Sequence, residues 1–131
     1  MLPYRALAAN GRLSPAVPLR FIRPDGRTMP ETLALLDSGA DRTLLPAAWA
    51  SALGIDLEAQ CLAKLGDTAG GVATHYRYPR GVEAIFLGKR IRLLASFSHG
   101  LTVVMLGRED FFNLYRVAFD QRANTLTVSE Y

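Results

Sequence analysis

A short apolar run, Thr32-Leu33-Ala34-Leu35-Leu36, ends on a carboxylate and then a glycine turn, Asp37-Ser38-Gly39-Ala40-Asp41. This junction constrains the fold more than any other segment. A strand ending in two leucines belongs in an interior, so Asp37 sits where a buried run meets a tight bend. An ionised carboxylate in such a place must be paired, hydrogen-bonded or protonated. Ser38 offers a hydroxyl beside it, and Gly39 allows both a positive φ and the close approach of a second backbone. Read alone, Asp-Ser-Gly is also compatible with an ordinary Asx-turn between strands, its carboxylate capping local backbone. The chain contains one such junction and no second copy.

Around it the pattern is one of short strands separated by turn residues, which predicts an all-β domain. Ala16 to Ile22 reads as a strand, Pro24-Asp25-Gly26-Arg27 as a turn, and Thr32 to Leu36 as the returning strand. Thr43 to Leu45 continues beyond the carboxylate. Pro46 to Leu53 is expected to be a helix stopped by Gly54, with Trp49 as a packing residue, and Glu109 to Leu114 a second short helix. Val82 to Leu87 and Arg90 to Phe97 are expected to pair around Gly88-Lys89. Strands at Arg116 to Phe119 and Thr125 to Val128 close the pattern. With no repeat and no linker, residues 1–131 read as one domain.

Composition removes several function classes. No apolar stretch reaches the roughly 18–20 residues of a membrane-spanning helix, and the segment from Met1 to Leu7 lacks the apolar core of a signal peptide. Cys61 is the only cysteine, so no internal disulfide forms and a cytoplasmic location is expected. The net charge of +3 is spread over residues such as Arg77, Arg80, Lys89, Arg90 and Arg92. Without a zinc motif, helix-turn-helix or basic-aromatic array, this reads as solvated strand surface and no nucleic-acid partner is expected. His75, His99 and Cys61 are too dispersed to suggest a metal site, and no metal or organic cofactor is expected. A Gly-x-Ser-x-Gly elbow and a phosphate-binding loop are both missing from the sequence.

The segment Ala34 to Asp41 resembles the active-site loop of retropepsin-like aspartic proteases. A second segment, Val103-Val104-Met105-Leu106-Gly107-Arg108-Glu109-Asp110-Phe111-Phe112, is similar to that family's apolar run followed by Gly-Arg and a short helix. The two motifs occur in the family's order and spacing, and the resemblance spans residues 15–128. It implies an all-β, retropepsin-like acid-protease barrel with one or two short helices and one lobe per chain. It also implies an aspartic endopeptidase with Asp37 as the catalytic carboxylate.

Peptide hydrolysis of this kind needs two carboxylates sharing a proton. Asp67-Thr68-Ala69-Gly70 lacks the glycine after threonine and the apolar lead-in, and Asp25-Gly26 is a surface turn. The second carboxylate is therefore expected from Asp37 of another copy, in a symmetric homodimer. The resemblance further assigns Ser38 and Gly39 to loop support, and Ala40 and Asp41 to contacts with the substrate backbone. Arg108 becomes the partner of Asp41 in a largely buried ion pair, and Gly70-Gly71 the tip of a flap. Leu44 and Val72 become groove-lining residues that favour apolar side chains in an extended peptide. Glu109 departs from the Asp or Asn usual after Gly-Arg. The alternatives are a non-catalytic dimerisation or peptide-binding module that keeps the fold, and a monomer in which Asp37 is purely structural.

Overall fold

Burial along the first long strand, Ala16–Ile22, explains why it forms. Val17, Leu19 and Phe21 point inward, and Arg20 between them is exposed. Thr32–Leu36 returns antiparallel beside it, after a turn closed by the Gly26 N–H donating to the Arg23 carbonyl at 2.8 Å. Pro18 is tolerated because the neighbour on the other side, Val82–Phe86, pairs only with Arg20 to Ile22.

A computed structural model describes residues 1–7, 11–68 and 71–131. In chain order the strands are β1 (Leu2–Pro3), β2 (Arg5–Ala6), β3 (Leu13–Ser14), β4 (Ala16–Ile22), β5 (Thr32–Leu36) and β6 (Thr43–Pro46). After helices α1 (Trp49–Leu53) and α2 (Leu57–Gln60) come β7 (Leu62–Thr68), β8 (Gly71–Arg77), β9 (Val82–Phe86), β10 (Lys89–Leu93) and β11 (Ala95–Ser98). The chain ends with β12 (Val104–Leu106), α3 (Phe111–Leu114), β13 (Tyr115–Asp120) and β14 (Thr125–Glu130).

One large mixed sheet runs in the order β10-β9-β4-β5-β12-β6-β11-β8-β7. Within it β12 lies parallel to β5, and β11 parallel to β6. A smaller sheet, β1-β14-β13, holds both ends of the chain. The interior is filled by Phe21, Phe86, Phe97, Phe111, Leu45 and Leu53, each fully buried. Each such side chain contributes roughly 1.5–3 kcal/mol through removal from water. The rings of Phe86, Phe111 and Tyr115 pack against one another at 5.0–5.2 Å, Phe86 edge-to-face with the other two, tying α3 to β9.

The expected all-β fold is what the chain adopts, and β4 and β5 have the expected bounds. Several details differ. The strand through Thr43 extends to Pro46, which pairs with Ser98, so the helix starts at Trp49 and not at the proline. Its stop at Gly54 is as expected, with φ at 75°. A third helix, α2, follows because the Asp56 side chain accepts from the N–H groups of Glu58 and Ala59. The stretch expected as one strand from Arg90 to Phe97 breaks at Leu94. β10 pairs with β9 across a Leu87-Gly88 turn with both φ values positive, whereas β11 joins β6 and β8. Among the described residues no helix is long and apolar enough to cross a membrane.

Candidate active site

Asp37 leaves the end of β5, held there by its own N–H, which donates to the Leu106 carbonyl of β12 at 3.0 Å. Its Oδ1 accepts from the Gly39 N–H at 2.9 Å, and its carbonyl from the Ala40 N–H at 3.1 Å. The half-buried carboxylate is thus oriented by the turn that follows it. A Cβ on Gly39 would stand 3.1 Å from Asp37 Oδ1, closer than most real contacts, so glycine leaves the carboxylate its room. Ser38 is exposed at the outer edge of the turn.

The segment after β12 clasps this loop from behind. The Arg108 N–H donates to the Ala40 carbonyl at 2.9 Å, and the Glu109 N–H to the Asp41 carbonyl at 2.7 Å. Gly107 makes the approach possible, because a Cβ there would meet the Arg42 carbonyl oxygen at 2.6 Å. Two ion pairs reinforce the contact: Arg108 with Asp41, and Arg42 Nε with Glu109 Oε2 at 3.1 Å. The Arg108–Asp41 pair forms as expected, but at positions where both side chains are more than half exposed. The expectation of a largely buried pair is corrected, because in the single chain both side chains lie on the outside of the clasp.

Asp110, unassigned in the sequence reading, is buried at the centre of this arrangement. Its Oδ2 accepts from the N–H groups of Thr43 at 3.3 Å and Leu94 at 3.0 Å, and its Oδ1 from Phe111 at 2.9 Å. One carboxylate therefore joins the strand leaving the Asp37 loop, the β10–β11 break and the start of α3.

In front of the loop lies a groove of about 220 Å³, lined by Gly39, Ala40, Asp41, Arg42 and Leu44 on one side. The other side is the antiparallel pair β7–β8, through Lys64, Leu65, Gly66, His75 and Arg77, with Ser96 of β11 between. Ala40, Asp41 and Leu44 line the same groove. Val72, 66% exposed, is not among the described lining residues. Gly71, with φ at 118°, pairs with Thr68 near the end of the hairpin, and Gly70 lies outside the described residues. Among the described lining residues Asp41 is the one carboxylate, and it is engaged by Arg108.

The roles of Lys64, His75 and Arg77 in this groove escaped the sequence reading. They carry no local motif, and only the hairpin register brings them to the Asp37 loop. Asp110 sits inside the quoted Gly-Arg segment, but its burial depends on strands distant in sequence.

A family model described as aspartyl protease matches residues 23–109, a span that includes the Asp37 loop, the groove and the Gly107-Arg108 clasp. No curated protein matches the chain.

Proposed function

Because this chain belongs to the aspartyl protease family, we propose that it is an endopeptidase whose active unit is a symmetric homodimer. The observation that carries the reading is the stereochemistry of Asp37. A single carboxylate is presented half-buried on a glycine turn beside a groove of about 220 Å³, and the one carboxylate among the described lining residues is already paired. A second Asp37, related by a two-fold axis, completes the pair.

Two carboxylates in close contact do not both ionise, so the pair holds one proton between them. The ionised member takes a proton from a water lying between the two. The protonated member donates to the carbonyl oxygen of the scissile bond as the water oxygen attacks its carbon. Collapse of the tetrahedral intermediate returns a proton to the leaving amine, and the two carboxylates exchange roles. Ser38 and Gly39 of each copy bring the two loops together. Ala40 and Asp41 bond the substrate backbone, and the β7–β8 hairpin closes over it as a flap.

The test is a peptide-library digest between pH 3 and 7, comparing the natural chain with Asp37→Asn. Cleavage that disappears in the variant is the expected result. Cleavage that survives it refutes Asp37 as the catalytic carboxylate, and a folded dimer that cleaves nothing refutes the peptidase and leaves a peptide-binding module.

A further inference from the structure

Among the described residues, the groove beside the Asp37 loop carries more positive than negative charge. Residues directly opposite one another in a ladder share a face. Lys64 stands opposite His75, Ser98 opposite His75, and Ser96 opposite Arg77. Lys64, His75, Arg77 and Ser96 therefore belong to one face of the β7–β8–β11 surface, and all four line the groove. The charges on the opposite wall are already matched, Asp41 by Arg108 and Arg42 by Glu109. Among the described residues, Lys64 and Arg77 have no acidic partner.

Among the described residues, two polar atoms of this face are buried with no hydrogen-bond partner, His75 Nε2 and Arg77 Nε. Buried polar atoms of this kind are rare, because each costs stability until a partner is supplied. The hairpin is also built around the His75 ring. A Cβ on Gly66 would lie 2.8 Å from His75 Nδ1, so only glycine lets the imidazole lie across β7. A volume of about 220 Å³ suits one side chain and not a drug-sized ligand.

We propose that this groove is a subsite for an acidic side chain of the peptide substrate, glutamate in particular. The carboxylate is held by Arg77 and Lys64, and the aliphatic stem lies against Leu44. Ala40 and Asp41 belong both to the subsite and to the loop carrying Asp37, so the acidic residue sits close to the scissile bond. The inference rests on the peptidase reading above. In the homodimer the two-fold axis repeats the subsite, and acidic residues are favoured at equivalent positions on both sides of the cleaved bond. This replaces the apolar preference implied by the family resemblance with one in which only the stem is apolar.

The experiment is a library digest by the natural chain, followed by kcat/KM for a cleaved peptide and its Glu→Gln isostere. Both peptides carry amidated C-termini, so that the side chain alone supplies the charge. Enrichment of Glu near the cleaved bond is expected, with the Glu peptide favoured by about tenfold or more. Arg77→Glu and, on the exposed hairpin, Lys64→Glu should each move the preference away from Glu and towards Lys. The second variant serves if the first does not fold. Equal cleavage of the Glu and Gln peptides, with Asp37→Asn inactive, overturns the subsite and leaves the peptidase intact. No cleavage of any peptide, or cleavage undiminished by Asp37→Asn, removes the peptidase reading and the subsite with it.

Discussion

Asp110→Ala removes a carboxylate only 5% exposed and leaves three backbone donors without their acceptor. The donors on Thr43 and Phe111 belong to residues with no solvent exposure. Each unsatisfied buried group costs about 1–3 kcal/mol. Leu94 is half-buried, so its N–H reaches water and adds little. The sum is roughly 2–6 kcal/mol, a large share of the 5–15 kcal/mol typical of a domain. Asp110→Asn should cost about half as much, because one amide oxygen in the Oδ2 position still serves Thr43 and Leu94 while the Phe111 bond is lost. Urea unfolding followed by circular dichroism reads both values, with the slope unchanged and the midpoint lowered. A loss under about 1 kcal/mol for the alanine variant, or equal losses for the two variants, refutes the argument that this carboxylate organises the back of the site.

Other outcomes follow from the same geometry. Gly107→Ala forces a Cβ into the Arg42 backbone and should destabilise the fold by about 3 kcal/mol or more, measurable as a lowered unfolding midpoint. Arg108→Met should cost under about 1 kcal/mol, since its pair with Asp41 is exposed, and a larger loss in the isolated chain would contradict that exposure. Burial, and secondarily the charge of Asp56, push the Cys61 thiol above its ordinary pKa. Alkylation by iodoacetamide near pH 8 should therefore be slower in the folded protein than in denaturant. Equal rates in the two states would show the thiol to be unperturbed.

What the sequence disclosed and what it hid separate along a physical line. β4 and β5 were readable because burial alternation and the Pro24-Asp25-Gly26 turn are local signals. The Asp37 loop was readable for the same reason, its Asx-turn lying within three consecutive residues. The break at Leu94 was not, since the acceptor of its N–H is Asp110, which arrives from a distant segment. The groove wall formed by Lys64, His75 and Arg77 depends on hairpin register, which no short motif encodes. Helix α2 is a different case. The Asp56 side chain accepts from the Glu58 and Ala59 N–H groups while the Asp56 N–H donates to Gln60 Oε1 at 2.8 Å, and that signal lay in the sequence unread.

The central claim is that one working site needs Asp37 from two copies. Natural chain and Asp37→Asn, mixed in equal amounts, unfolded and refolded together at fixed total concentration, give a direct measure. If both carboxylates are required, only dimers of two natural chains cleave, and activity falls to about a quarter of that of the natural chain alone. Activity that falls only to about a half, in proportion to the natural chain present, would mean that each chain works by itself and would contradict the account.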